Sequence, residues 1–115
     1  RAMSDITTHV LDTSAGRPAV GVPVLLEIQS SPGVWREISR GATDSDGRLR
    51  HLLPSGSLTE AAYRLTFDTR AYFQSRGVTA LYPSVTIVFD VRNPNEQHHI
   101  PLLLGPFGYT TYRGS

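Results

Sequence analysis

The chain contains no cysteine, which removes disulfides, thiolate catalysis and zinc sites with sulfur ligands from consideration. A chain without thiols fits a reducing compartment such as the cytoplasm. No apolar run approaches the roughly 18–20 residues needed to span a bilayer. No basic-then-apolar signal segment leads the chain, and no Ser-Lys-Leu address ends it. A strong charge of one sign is also missing: the net charge is +1 and the basic residues form no run. A general attraction to nucleic acid or to an anionic membrane is therefore not expected. There is no Gly-x-Gly-x-x-Gly, no P-loop and no Gly-x-Ser-x-Gly elbow. Spacing alone thus assigns no cofactor and no reaction class.

What is present is an ordinary globular composition, 39% hydrophobic and 18% charged over 115 residues, which excludes wholesale disorder. That length makes one domain, large enough to bury a core without metal or disulfide support. Arg1-Ala2-Met3 can be a remnant ahead of the native start and are left out of the fold expectation.

Residues Ile6 to Asp12 are β-branched and extended in character, with Thr7, His9 and Leu11 on one face and Thr8, Val10 and Asp12 on the other. Val22, Val24, Leu26 and Ile28 share one face of a second strand, which turns at Ser30-Ser31-Pro32-Gly33 and pairs with the run Val34 to Arg40. Thr43-Asp44-Ser45-Asp46-Gly47-Arg48 is turn chemistry: Asp bonds back to the backbone and Gly supplies positive φ. It is no calcium loop, because Ala42 and Leu53 stand where the first and the bidentate ligand belong. Tyr63, Leu65 and Phe67 point inward from the next strand. The period then changes, and Thr69 to Arg76 reads as a short helix, capped by Asp68 or Thr69, docked by Tyr72 and Phe73 and ended by Gly77. Strands follow at Ser84–Val91, His98–Leu104 and Tyr109–Arg113. Seven to eight short strands with regular turns and one short helix predict an all-β fold, an antiparallel β-sandwich.

The histidines are His9, His51, His98 and His99. Adjacent His98 and His99 point to opposite faces, so only one can join His9 in a shared site, and no third ligand for a metal is identified. A lone strand histidine such as His51 is ordinarily a surface or hydrogen-bonded group. Arg48 is an ordinary exposed hairpin residue by the same standard, and Tyr112 can simply pack across a sheet.

Three separated segments carry more. Thr7-Thr8-His9-Val10-Leu11-Asp12 with Gly16-Arg17-Pro18-Ala19 resembles the opening of the 5-hydroxyisourate hydrolases, the transthyretin-related enzymes of purine breakdown. Thr43–Arg48 resembles that family's hairpin with its trailing Arg. His99-Ile100-Pro101-Leu102-Leu103 and the terminal Tyr112-Arg113-Gly114-Ser115 resemble its third segment and its signature ending. Gly105, Phe107 and Gly108 depart from the family's Ser-Pro-Trp-Ser connection, a change confined to a turn. The resemblance implies a transthyretin-like sandwich, a homotetramer built as a dimer of dimers, and active sites in a central channel where subunits meet. It implies hydrolysis of 5-hydroxyisourate without cofactor or metal, with His9, Arg48, His99 and Ser115 catalytic and His9, Arg48, Tyr112, Arg113 and Gly114 on the substrate. It also leaves the cytoplasm, or the peroxisome of a eukaryote, as the compartment. A carrier of small aromatic ligands and a purely structural sandwich are the competing readings.

Overall fold

The computed structural model describes residues 5–115, so the expectation for Arg1-Ala2-Met3 lies outside it. The elements run β1 (Ile6–Asp12), β2 (Arg17–Pro18), β3 (Pro23–Ser31), β4 (Val34–Ala42), β5 (Arg48–Leu49), β6 (Ala61–Phe67), α1 (Thr69–Ser75), β7 (Val85–Val91), β8 (His98–Leu104) and β9 (Tyr109–Thr111). Two sheets face each other. One has the order β2-β1-β8-β9 with β5 also on β1, and the other has the order β4-β3-β6-β7. The expected β-sandwich is thus present, seven of its strands having three or more residues and β2 and β5 having two each. One pairing differs from the antiparallel expectation: β1 and β8 run parallel, from Ile6 opposite His98 to Asp12 opposite Leu104. A parallel pair needs a long crossover, and here the whole second sheet lies between the two strands in sequence.

Period-two alternation produced this arrangement. Ile6 and Val10 of β1, Val24 and Leu26 of β3, Tyr63, Leu65 and Phe67 of β6, and Ile100, Leu102 and Leu104 of β8 meet in one core. Each such side chain contributes about 1.5–3 kcal/mol by leaving water. Thr7, His9 and Leu11 take the opposite face of β1, as expected from alternation, and His99 takes the matching face of β8. His98 points the other way. It is 4% exposed, its ring stacks on Phe89 at 6.4 Å, and Nδ1 donates to the Glu96 carbonyl at 3.0 Å.

The helix lies where the sequence predicts it. Asp68 caps it by accepting from the Ala71 N–H at 3.0 Å, and Gly77 at φ 69° releases the chain beyond it. Seven residues do not make a stable helix alone; burial of Tyr72 and Phe73 holds it to the sandwich. The Tyr72 hydroxyl also donates to Asp12 Oδ2 at 2.6 Å, which ties α1 to the end of β1.

Asp12 is 2% exposed and charged, and it is well supplied with donors. Oδ1 accepts from the Ser14 N–H, the Ser14 hydroxyl and the Ala15 N–H at 2.7–3.0 Å. Burial pushes its pKa up, but the hydrogen bonds from Tyr72, Ser14 and Ala15 outweigh burial and hold it below 3.8. Burial and the Asp12 carboxylate push the Tyr72 phenol up to about 12. A depressed folded-state pKa means that the unfolded chain takes up the proton first. The stabilisation is complete above the unfolded value of 3.8 and drains away as pH falls through the lower folded value. Asp12→Asn is expected to cost about 1–3 kcal/mol at pH 7 and to flatten the acid side of the stability curve. Thermal unfolding of both proteins between pH 3 and pH 7 checks this, parallel curves being the contrary result.

Candidate functional site

The turn after β4 aims Arg48. Asp44 Oδ1 accepts from the Asp46 and Arg48 N–H groups, both at 2.9 Å, and Gly47 takes φ 76°. A side chain at Gly47 would be strained by that φ and would collide with the Val10 carbonyl oxygen. The close approach lets the Val10 N–H donate to the Gly47 carbonyl at 2.7 Å, so the turn is clipped onto β1. Arg48 then lies opposite His9 in the β1–β5 ladder.

His9 Nε2 stands 2.9 Å from the Asp46 carbonyl oxygen. A carbonyl only accepts, so Nε2 carries the hydrogen and donates it. His99 lies opposite Thr7 in the parallel β1–β8 ladder, with Nδ1 2.8 Å from the Thr7 hydroxyl. The chain's tail returns along β8, and Gly114 bridges to His99, donating its N–H to the His99 carbonyl at 2.8 Å. Thr7, Thr8, Arg48, Arg50, Gln97, His99, Gly114 and Ser115 together line a depression of about 230 Å³ on the outer face of this sheet.

Four expected residues, Arg48, His99, Gly114 and Ser115, therefore share one depression, and His9 stands beside Arg48 without lining it. Tyr112 and Arg113 lie elsewhere. They border a separate depression of about 210 Å³ at the open edge of the sandwich, with Ile87, Phe89, His98 and Ile100. Arg113 is turned aside there: Nη2 donates to Glu96 Oε1 at 3.3 Å and to the Gln97 carbonyl at 3.4 Å. Thr7, Arg50 and Gln97 were not singled out from the sequence. Arg50 had a signal, since it stands two residues after Arg48 and alternation puts both on one face. Thr7 had one too, sharing a face with His9. Gln97 had none.

Electrostatics hold both histidines neutral. Burial lowers the His9 pKa from 6.5, and the Arg48 guanidinium lowers it further against the opposing Asp46 carbonyl. Burial is again the larger cause for His99, followed by Arg48, His9 and Arg50, all acting downward. At neutral pH the site thus offers two unprotonated imidazoles beside two guanidiniums, which suits a general base and an anion-stabilising pair.

Gly114 leaves no room for a methyl group beside the His99 ring. A Cβ would lie 2.5 Å from His99 Cδ2 and 3.2 Å from Pro101 Cγ. Gly114→Ala is expected to displace the His99 ring or the tail and to lower turnover about tenfold, because ring orientation is part of proton transfer. Its melting temperature should change little, since the tail makes few buried contacts. Full turnover in Gly114→Ala would show that the ring tolerates the displacement.

A two-sheet sandwich carrying histidines and arginines on the outer face of one sheet defines a narrow class of proteins. The chain belongs to the HIUase/Transthyretin family, matching it over residues 6–114. It is similar to the 5-hydroxyisourate hydrolase of Mus musculus, with 42% identity over 113 residues that cover 97% of this chain and 96% of the mouse protein. The structure of Klebsiella pneumoniae 5-hydroxyisourate hydrolase superposes with a TM-score of 0.84 at 32% identity, covering 96% of this chain and 92% of that one. Sea bream transthyretin, solved in complex with thyroxine, superposes with a TM-score of 0.89 at 31% identity, covering 96% and 94%. The family resemblance read from three sequence segments, and the transthyretin-like fold it implied, are both borne out. Among the described residues no helix is long and apolar enough to cross a membrane.

Proposed function

We propose that this protein hydrolyses 5-hydroxyisourate to 2-oxo-4-hydroxy-4-carboxy-5-ureidoimidazoline. The observation that carries the reading is the meeting of His99, Arg48 and Ser115 in one depression with His9 alongside, on a chain 42% identical to a 5-hydroxyisourate hydrolase. Water attacks the ring carbonyl, forming a C–O bond as one histidine removes its proton. Negative charge grows on the carbonyl oxygen, and Arg48 stabilises it while gripping the planar, oxygen-rich substrate. The C–N bond of the six-membered ring then breaks, and the proton passes to the departing nitrogen. Ser115 orients the water or the substrate from the tail.

The depression opens to solvent in a single chain, so water is not excluded from it. A homotetramer, a dimer of dimers, would wall it by stacking this sheet face against another subunit's. Phe107, 71% exposed, and Val20, also exposed, supply apolar surface for contacts between subunits. Tyr112 and Arg113, which border another depression in their own chain, would then meet substrate only through this assembly. A cysteine-free chain suits the cytoplasm, or the peroxisome if the source is eukaryotic.

The test generates 5-hydroxyisourate in situ from urate with urate oxidase and follows its ultraviolet decay. Faster decay with this protein, reduced about tenfold or more by removal of Ser115 and by His9→Ala, is the expected result. Decay at the spontaneous rate from an assembled tetramer would favour a ligand carrier instead. A polar, cationic depression suits an oxidised purine better than an apolar hormone.

A further inference from the structure

The two histidines of the site face different kinds of partner, and the difference assigns them different roles. His9 Nε2 faces a backbone carbonyl, which accepts and never donates, so its neutral ring is confined to the tautomer with hydrogen on Nε2. His99 Nδ1 faces a hydroxyl, which can do either. Taking the hydrolase reading as given, we propose that Thr7 is a positioning residue for His99, holding the ring through Nδ1 so that Nε2 serves the depression, which makes His99 the site's proton carrier.

Geometry supports this from three sides. Thr7 is 2% exposed and stands directly opposite His99 in the parallel ladder, so its hydroxyl is held by two strands rather than by a loop. The backbone of Gly114 lies against the Cδ2 edge of the ring, leaving no space there for even a Cβ. With Nδ1 engaged by Thr7 and the Cδ2 edge covered, Nε2 is the nitrogen left for the depression that His99 lines. The titratable and charged groups facing the ring are Arg48 and Arg50 from β5 and the residue just beyond it, and His9 from β1. No carboxylate shares the Thr7 position. An Asp there would raise the ring's pKa through its charge; a threonine orients the ring without adding one.

The proton steps balance. In the resting ring Thr7 either donates to Nδ1 or accepts from it. The reactive tautomer is the one that donates Nδ1–H to the Thr7 oxygen and leaves Nε2 bare. As water attacks, Nε2 takes the proton and the imidazolium keeps its Nδ1–H bond to Thr7. When the C–N bond breaks, Nε2–H returns the proton to the departing nitrogen and the ring is neutral again. His9, with Nε2–H tied to the Asp46 carbonyl, keeps only Nδ1 as a base and does not line the depression, so it serves as a fixed neighbour of Arg48.

Thr7→Val removes the hydroxyl at nearly constant shape, and Thr7→Ser keeps it. The expected result is a fall in kcat of about tenfold or more in Thr7→Val with KM changed less than about threefold, and recovery in Thr7→Ser. The pH profile of kcat/KM should move in Thr7→Val and return in Thr7→Ser. Ring nitrogen-15 shifts of His99, assigned by their loss in His99→Gln, should change in Thr7→Val alone. Equal losses in both variants would overturn the proposal by making Thr7 a packing residue, as would wild-type kinetics and ring shifts in Thr7→Val. If the wild-type protein leaves 5-hydroxyisourate decay unchanged, the hydrolase reading fails, and the nitrogen shifts still decide whether the Thr7 hydroxyl governs the His99 ring.

Discussion

His99→Gln is expected to lower kcat/KM for 5-hydroxyisourate by about 10²–10⁴-fold, the range that general acid–base catalysis supplies. Glutamine keeps hydrogen-bonding groups near the Thr7 hydroxyl and the Gly114 bridge but cannot carry a proton. The loss should therefore appear in kcat with KM nearly unchanged. The wild-type protein should lose activity on the acid side as His99 becomes protonated. Burial, Arg48, His9 and Arg50 all push that pKa below 6.5, so the acid limb of the profile should lie below pH 6.5. Its absence in a residually active His99→Gln protein would tie the limb to this ring. A limb unchanged in position would assign it to His9, whose pKa is lowered by burial and Arg48 as well. Stopped-flow decay of freshly made substrate between pH 5 and pH 8 distinguishes these outcomes.

Arg48→Ala is expected to cost about 10²–10³-fold in kcat/KM, comparable to removal of one oxyanion-stabilising donor. Arg48→Lys should recover only part of it, because an ammonium is a point charge without the planar fork that grips two oxygens. The variant carries a second, independent signature. Arg48 disfavours protonation of His9 and His99 through its charge, so its removal raises both pKa values. The acid limb should then move to higher pH in Arg48→Ala and stay in place in Arg48→Lys. Fold is expected to survive both changes, since β5 is a two-residue strand at the sheet surface and Arg48 is only half-buried. Undiminished turnover in Arg48→Ala would remove this guanidinium from the chemistry and leave Arg50 as the cation of the site.

Much of the architecture was legible because it is written in local periodicity. Alternation placed Tyr63, Leu65 and Phe67 in the core and Thr7, His9 and Leu11 on the opposite face of β1. The break in that period marked α1, and Asp44 with Gly47 announced the turn that aims Arg48. The opposite fates of His98 and His99 followed from adjacency on one strand. Three segments together announced the family. These features depend on spacings of two to four residues, and those spacings survive in any fold that forms the strands.

Other features depend on which strands become neighbours. The parallel pairing of β1 with β8 brings Thr7 to His99 across 92 residues of sequence, and no local pattern encodes that distance. Arg50 joined the site because β5 lies against β1, and Gly114 because the tail returns along β8. The terminal Tyr112-Arg113-Gly114-Ser115 reads as one unit in sequence, yet the chain divides it between two depressions. What the sequence by itself determined was a two-faced set of strands, a short helix and the chemical types of the candidate site. Tertiary structure alone decided which histidine is tied to a carbonyl and which to a hydroxyl, since hydrogen-bond partners are chosen by strand register and not by spacing along the chain.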